Sequence, residues 1–175
     1  PLCVGGGIRK MAAADGSGYS ALDVADAYFR AGADKVSIGS DAVEAARAWI
    51  ASGGRADGTS SLEQIADKYG RQAVVVSIDP RRVWVASHAA ADGHACANHS
   101  SGAGAGLGRG ETGPNGETLC WYECTIQGGR KGSGLDVVEV ARAVEALGAG
   151  ELLVNCIDCD GQHAGFDLPL MAMLR

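Results

Sequence analysis

Apolar runs alternate with amphipathic stretches along this chain. Four apolar runs have the length and composition of buried parallel strands, and they cover residues 1–4, 35–39, 73–79 and 151–156. Apolar residues spaced three or four positions apart predict helices at residues 21–31, 41–52, 60–69 and 136–147, and the start of another at 168–175. The alternation of strand and helix predicts an α/β fold with a parallel sheet and crossover helices.

An internal repeat favours a barrel over an open sheet. Residues 23–38 match residues 139–154 at a constant offset, and each copy has the pattern of a helix, a Gly-Ala turn and a strand. Units of this kind build a (β/α)8 TIM barrel, and four of them amount to about half of one. The sequence therefore predicts a partial barrel, with a doubly wound sheet as the alternative.

Strand parity singles out one carboxylate at the end of a strand. In the run at residues 73–79, Val75 and Asp79 are predicted to point inward, which puts Asp79 at the C-terminal mouth where barrel enzymes carry out catalysis. Burying a carboxylate is costly unless it is hydrogen-bonded or functional. We therefore predict that Asp79 acts as a general acid or base, and rank a role in capping loop amides second. Pro80 is expected to fix a turn after it.

The repeat also aligns Lys35 with Glu151. Each is the first inward residue of its strand. Opposite charges are therefore predicted at the bottom mouth of the barrel.

Glycine-rich turns follow several strands, and backbone N–H groups at such turns can converge on a phosphate without obstruction by a Cβ atom. These turns are Gly5-Gly6-Gly7, Gly39-Ser40, Gly128-Gly129 and Asp160-Gly161. Together they favour one large anionic ligand over several unrelated tight turns. Of the two carboxylates that frame the last strand's loop, Asp158 and Asp160, one is expected to cap a turn.

The stretch at residues 87–118 interrupts the regular pattern. It is rich in Gly, Ala and Ser without periodicity, which predicts a flexible insertion. Its histidines, His88, His94 and His99, are predicted to be solvated rather than to bind metal, because no acidic or Cys partner has a convincing spacing. The flanking segments, 82–86 and 119–126, are rich in β-forming residues and are predicted to pair as a hairpin.

Composition and charge narrow the range of partners. Hydrophobic residues make up 46% of the chain and charged residues 21%, as is typical of a globular domain. The formal charge of −6 argues against nucleic acid or an anionic membrane as a general partner, and no run approaches the length of a membrane span.

Reduced thiols are predicted for the six cysteines. A metal or redox module built on Cys120, Cys124, Cys156 and Cys159 is the alternative.

Four ordered motifs, which together cover nearly the whole chain outside the insertion, resemble the cyclase module of imidazole glycerol phosphate synthases. They are residues 1–9 (PLCVGGGIR), 32–40 (GADKVSIGS), 73–79 (AVVVSID) and 147–161 (LGAGELLVNCIDCDG). The likeness is greatest to the eukaryotic type, in which a glutaminase domain precedes the cyclase in one chain. The resemblance implies that residues 1–175 are the third to sixth βα units of a (β/α)8 barrel, an internal fragment of a longer protein.

In function, the resemblance implies a lyase of histidine biosynthesis. Its substrates are a ribulosyl formimino aminoimidazole carboxamide nucleotide, which carries two phosphates, and ammonia from the glutaminase domain. Its products are imidazole glycerol phosphate and aminoimidazole carboxamide ribotide. The resemblance implies no metal and no organic cofactor.

The same resemblance assigns roles to individual residues. Asp79 matches one of two acid-base carboxylates, and the other is expected upstream of Pro1, so the fragment is expected to be inactive alone. Lys35 and Glu151 match a charged gate through which ammonia enters. The implied substrate- and phosphate-binding residues are Gly6, Gly7, Ser40, Asn155, Asp160 and Gly161.

Some features stay open at this point. Gly39 stands where many bacterial members of the family carry Asn, so a contact from that side chain is not expected. A related phosphoribosyl isomerase of the same pathway is the alternative enzyme. An open half-barrel is expected to expose apolar inward residues such as Val75 and Leu153 and to self-associate. The expected location is intracellular, either cytoplasmic or plastid.

Overall fold

A computed structural model describes residues 1–12, 18–101 and 107–175. The helices in these ranges are α1 (Ala21–Arg30), α2 (Ser40–Ala51), α3 (Ser61–Tyr69), α4 (Val137–Ala146) and α5 (Leu168–Met173). The strands are β1 (Cys3–Gly5), β2 (Met11–Ala12), β3 (Gly18–Tyr19), β4 (Lys35–Ile38), β5 (Val74–Val85), β6 (Ala97–Asn98), β7 (Leu119–Ile126), β8 (Lys131–Asp136) and β9 (Glu151–Val154). Two compact units result: the first unit is Pro1–Ile78 with Glu139–Val154, and the second unit is Asp79–Val138 with Asn155–Arg175.

The sheet of the first unit consists of parallel strands in sequence order. β1 pairs with β4, β4 pairs with β5, and β5 pairs with β9. Helix α1 precedes β4, α2 and α3 precede β5, and α4 precedes β9. Strand order that follows sequence order, with a helix before each later strand, is the βα arrangement that the sequence pattern predicts.

Local sequence signals set where the helices begin. Both α1 and α3 start with a capping box, formed by Ser20 with Asp23 and by Ser60 with Glu63. The bounds of the four longer helices differ from the predicted ones by no more than one residue at either end. None of the helices within the described ranges is both long and apolar enough to cross a membrane.

The predicted internal repeat is confirmed by its turns. Gly32 follows α1 and Gly148 follows α4, and their φ angles are +105° and +110°. These left-handed values favour glycine. The same backbone turn therefore leads from helix to strand in both copies of the repeat.

The burial of side chains along β5 and β9 confirms most of the predictions for these strands and contradicts one. Val74, Val76 and Ile78 are fully buried, as expected for the helix-covered face of the sheet. Leu153 is 57% exposed, which confirms the prediction for β9. The prediction of an exposed Val75 is wrong, since that residue is only 5% exposed. Val75 lies opposite Ser37 of β4 and Glu151 of β9, so neighbouring residues flank its side chain on both sides.

The second unit contains an antiparallel sheet. The Asp79–Val85 part of β5 pairs with β7, and β6 and β8 also pair with β7. The predicted hairpin between the segments at 82–86 and 119–126 is thus confirmed. The predicted turn at Pro80 is wrong, because the ladder continues through Pro80, which lies opposite Cys124. The carbonyl oxygen of Pro80 accepts a hydrogen bond of 3.0 Å from the N–H of Ile157.

The segment predicted as a flexible insertion, residues 87–118, is described except for residues 102–106, which lie outside the described residues. It contains a short 3-10 helix, His88–Ala91, and strand β6. Its flexibility stays a prediction. The expectation of solvated histidines is wrong for His99, which has no exposed surface. His94 stacks on Trp121 with ring centroids 3.9 Å apart, and His88 is exposed, as expected.

Candidate functional site

A cavity of about 310 Å³ lies at the C-terminal ends of β1 and β4 in the first unit. It brings together three of the predicted phosphate-binding residues, Gly6, Gly7 and Ser40. Gly6 and Gly7 have φ angles of +101° and +70°, and no atom lies within 4 Å of a Cβ placed on either residue. Glycine is thus needed there for backbone conformation, and the space beside the turn is open.

The N-terminus of α2 opens into the same cavity. Its N-cap residue is Gly39, and no side chain caps the helix. First-turn N–H groups and the helix dipole make such an end favourable for an anion. Arg9 adds a positive charge to the lining, while Asp41 adds a negative one. Tyr28 of α1 fixes the glycine turn, because its hydroxyl donates a hydrogen bond of 2.9 Å to the carbonyl oxygen of Gly6.

A cavity of about 380 Å³ in the second unit contains the predicted catalytic carboxylate. Asp79 lines it together with Gly128, Gly129, Arg130, Asn155, Ile157 and Asp160. Three predicted residues, Asp79, Asn155 and Asp160, are therefore brought together. Gly161, also predicted, is not among the residues that line this cavity.

The backbone of Asp79 is held in place within the second unit. Asp79 pairs with Thr125 in the β5–β7 ladder, and the Thr125 hydroxyl donates a hydrogen bond of 2.6 Å to the Asp79 carbonyl oxygen. Asp79 itself is half-buried. The half-buried Asp79 carboxylate, which lies on a fixed strand beside a cavity, is therefore accessible to a molecule in that cavity.

Sequence reasoning missed Arg130 as a cavity residue. It directly follows the Gly128-Gly129 turn between β7 and β8, so its place after two predicted glycines was the available signal. One of the two loop carboxylates was expected to cap a turn, but the contact that the structure shows for Asp158 is with strand β5. Asp158 Oδ2 accepts a hydrogen bond of 2.8 Å from the N–H of Arg82.

Lys35 and Glu151, the opposite charges that were predicted at the bottom mouth, are in contact in the structure. The Lys35 ammonium donates a hydrogen bond to Glu151 Oε1 and forms an ion pair with it. Lys35 is the first residue of β4 and Glu151 the first residue of β9, and β5 lies between these strands. The ion pair thus spans β5 at the N-terminal end of the sheet, the end opposite the glycine turn.

A buried polar network, which the sequence patterns did not indicate, lies in the second unit. The Arg82 guanidinium donates hydrogen bonds of 2.9 and 2.7 Å to Asp167 Oδ2, and the Tyr122 hydroxyl donates one of 2.8 Å to Asp167 Oδ1. His99 Nε2 lies 2.9 Å from the Tyr122 hydroxyl, and His99 Nδ1 lies 3.1 Å from Glu111 Oε2. The side chains of Arg82 and Asp167 are 7% and 0% exposed.

Asp167 stays ionised in this network because its partners outweigh its burial. Burial alone raises the pKa of a carboxyl group. Hydrogen bonds from the Leu170 N–H, from Tyr122 and from Arg82, with the charge of the guanidinium, bring the pKa of Asp167 below its ordinary value. Asp167 is also the N-cap of α5, so the network connects that helix to the sheet of the second unit.

The alternative of a four-cysteine metal site is not what the described residues assemble. Cys156, Cys159 and Asp167 place potential ligand atoms within 4.8 Å of one another, but Cys120 and Cys124 are not part of that group. Both lie buried in β7, where burial raises the pKa of each thiol to about 12. All six cysteines are free thiols, as predicted.

Comparison with known proteins decides the family. A model of a family described as "Histidine biosynthesis protein" matches residues 1–175. The chain belongs to this histidine biosynthesis family. The resemblance stated from the four sequence motifs is thereby confirmed, and the fold class is the predicted part of a (β/α)8 barrel.

Three similar proteins share the name imidazole glycerol phosphate synthase. The chain is 54% identical to the chloroplastic imidazole glycerol phosphate synthase hisHF of Arabidopsis thaliana over 99% of its length, and 46% identical to hisHF of Schizosaccharomyces pombe over 100%. It is 40% identical to the imidazole glycerol phosphate synthase subunit HisF of Haloarcula marismortui over 98%. The chain spans 27%, 30% and 46% of these three proteins.

Proposed function

We propose that this chain is part of the cyclase of an imidazole glycerol phosphate synthase. The reaction joins ammonia to a ribulosyl formimino aminoimidazole carboxamide nucleotide and releases imidazole glycerol phosphate and aminoimidazole carboxamide ribotide. The observation that carries the proposal is the cavity in which an open glycine turn meets the uncapped N-terminus of α2. In a chain of this family, such a cavity fits one phosphate of a phosphorylated substrate.

The phosphate is held mainly by backbone groups in this proposal. N–H groups of the Gly6-Gly7 turn and of the first turn of α2 donate to its oxygens, and Ser40 adds a hydroxyl. The chain is acidic overall, so the positive charge that attracts a phosphate has to come from residues beside the site. Arg9, which lines the cavity, supplies such a charge. Asn155, Asp160 and Gly161 are proposed to contact the rest of the substrate, the first two from the cavity that Asp79 lines.

Asp79 is proposed to move a proton during ring closure. Amine addition and cyclisation both require a group that accepts a proton from nitrogen and returns one to a leaving group. Asp79 offers a carboxylate on a backbone that Thr125 holds, and Arg130 offers a positive charge in the same cavity.

Ammonia is proposed to come from a glutaminase domain of the same protein and to enter between Lys35 and Glu151. Two opposite charges at the N-terminal end of the strands can part and close again as a gate. This feature favours the synthase over the alternative, the related isomerase, which uses no ammonia. The proposed location is intracellular, in the cytoplasm or a plastid, and cell fractionation with an antibody against the chain tests it.

Substrate binding to a Ser40→Asp variant tests the phosphate assignment. A carboxylate at the N-terminus of α2 would occupy the anion position and repel the phosphate, while remaining compatible with the helix dipole. Like-charge contacts cost several kcal/mol, so we expect the substrate Kd to rise at least about tenfold in calorimetric titration of the complete synthase.

The matched control for this test is Ala51→Asp, which adds the same charge to the exposed last residue of α2. It should leave the substrate Kd within about twofold of the unmodified enzyme, because the new charge lies at the far end of the helix and is screened by solvent. An unchanged Kd for Ser40→Asp would show that the substrate phosphate binds elsewhere.

A further inference from the structure

Two cysteines lie one turn apart in the loop that follows β9. The N–H groups of Cys159 and Asp160 both donate hydrogen bonds of 3.0 Å to the carbonyl oxygen of Cys156. A turn of this kind brings Cα atoms three residues apart to within about 7 Å, and disulfides span about 4.4–6.8 Å between Cα atoms. The two sulfur atoms lie within 4.8 Å of each other. The turn and the separation of the sulfur atoms are therefore compatible with a disulfide between Cys156 and Cys159.

The two thiols differ in their surroundings. Cys156 is buried, and burial together with nearby Asp167 raises its pKa. Cys159 is partly exposed, and its sulfur lies 3.5 Å from a guanidinium nitrogen of Arg82. The Cys159 sulfur also lies 3.9 Å from Asp167 Oδ2. Attack on a disulfide requires that the oxidant reach the sulfur, so Cys159 has the exposure of an attacking thiol and Cys156 the burial of a resolving thiol.

The same contacts argue against a metal ion at this position. Asp167 already accepts hydrogen bonds from Arg82, Tyr122 and the Leu170 N–H. Its oxygens therefore have little capacity left for a cation. The Arg82 guanidinium lies against both Asp167 and Cys159, so it holds the positive charge that a metal ion would bring.

We propose that Cys156 and Cys159 form a reversible dithiol–disulfide pair that a low-molecular-weight disulfide oxidises. The Cys159 thiolate attacks one sulfur of the oxidant, which forms a mixed disulfide and releases one thiolate. The Cys156 thiol then loses its proton to solvent and attacks the Cys159 sulfur, which releases the second thiolate. The protein loses two electrons and two protons, and the oxidant becomes two thiols.

Oxidation would act on the cavity that contains Asp79. The residues between the two cysteines are anchored to β5, since Ile157 donates to the Pro80 carbonyl oxygen at 3.0 Å and Asp158 accepts from the Arg82 N–H at 2.8 Å. Asn155, Ile157 and Asp160, which border or separate the two cysteines, line that cavity. A disulfide would fix this loop and change the contact between the Cys159 sulfur and Arg82.

Incubation of the reduced protein with oxidised glutathione, followed by peptide mass spectrometry, tests the proposal. We expect the peptide that contains both cysteines to lose two hydrogen atoms and to regain them with dithiothreitol. Formation of the disulfide should remove two thiols, those of Cys156 and Cys159, from the number that react in denaturant. Recovery of both residues as free thiols, or as separate glutathione adducts, would overturn the proposal. This readout does not depend on cyclase activity, so it is independent of the proposed function.

Single variants assign the order of attack. Cys156→Ser should accumulate a stable glutathione adduct on Cys159, because the resolving thiol is gone. Cys159→Ser should leave Cys156 unmodified, because that thiol is buried. Cys3, which is exposed in β1, is the internal control and should form only a mixed disulfide. An adduct on Cys156 of Cys159→Ser, formed as fast as the adduct on Cys3, would overturn the assigned order.

Discussion

Among single residues, Lys35 and Glu151 show how a repeat in sequence becomes a contact in space. Each begins the strand of one repeat copy, and parallel pairing on both sides of β5 brings the two side chains to the same face. The alignment of the repeat, together with strand parity, was sufficient to predict that these opposite charges lie at the same end of the strands. The alternation of side chains is a property of any strand and needs no knowledge of distant contacts.

A Lys35→Ala variant of the complete synthase tests the role of the pair. The variant removes the ammonium but leaves the cavity beside the glycine turn, at the other end of the first unit's strands, intact. The glutamine-dependent rate should fall at least about tenfold more than the rate with added ammonia. Lys68→Ala is the control, since Lys68 forms a comparable ion pair with Asp26 on the helical side. Equal losses with both nitrogen sources would contradict the gate.

Among secondary structure elements, those with local signals were predictable and those with distant partners were not. Capping boxes at Ser20 and Ser60 specify where α1 and α3 start, and the structure follows them. The continuation of β5 through Pro80 depends on β7 and on Ile157, which lies far along the chain. The burial of His99 likewise depends on Tyr122 and Glu111. Such partners leave no mark in the local pattern.

Asp167 both caps α5 and forms a buried ion pair with Arg82, so we expect Asp167→Asn to lower the free energy of unfolding strongly. The substitution leaves the buried Arg82 guanidinium with Glu111, at 3.4 Å and partly exposed, as its remaining charge partner, and breaking a buried pair costs up to about 3–5 kcal/mol. The free energy of unfolding from urea titration measures the loss. Asp26→Asn, which removes a more exposed pair with Lys68, should cost no more than about 1 kcal/mol. Similar costs for the two variants would contradict the account of the network.

The same carboxylate predicts a sensitivity to acid. The pKa of Asp167 is lower in the folded chain than its ordinary value, so it binds protons more readily when unfolded. Its contribution to stability is therefore complete above an unfolded pKa of about 4 and is lost as the pH falls through the folded value. Urea titrations from pH 7 down to about pH 2 should show this loss, and Asp167→Asn should lack it.

For the whole molecule, exposed apolar surface on β9 predicts self-association of the isolated chain. Leu152 and Leu153 are 37% and 57% exposed, and β9 pairs only with β5 among the described strands. Unpaired strand edges and apolar patches are the usual basis of association. Sedimentation velocity should show dimers or larger species. A monodisperse monomer, with Leu153→Lys behaving in the same way, would contradict this expectation.

In the proposed function, Asp79 is the group that moves a proton during cyclisation. The most direct test is Asp79→Asn in the complete synthase, assayed with saturating ammonia and with substrate affinity measured in parallel. General acid-base assistance is worth about 10²–10⁴ in rate, so turnover should fall by that order while the substrate Kd changes little. Asp92→Asn, a neutralised carboxylate in the exposed turn after the 3-10 helix, should keep normal turnover. Near-normal turnover of Asp79→Asn would contradict the catalytic assignment and leave Asp79 a structural carboxylate.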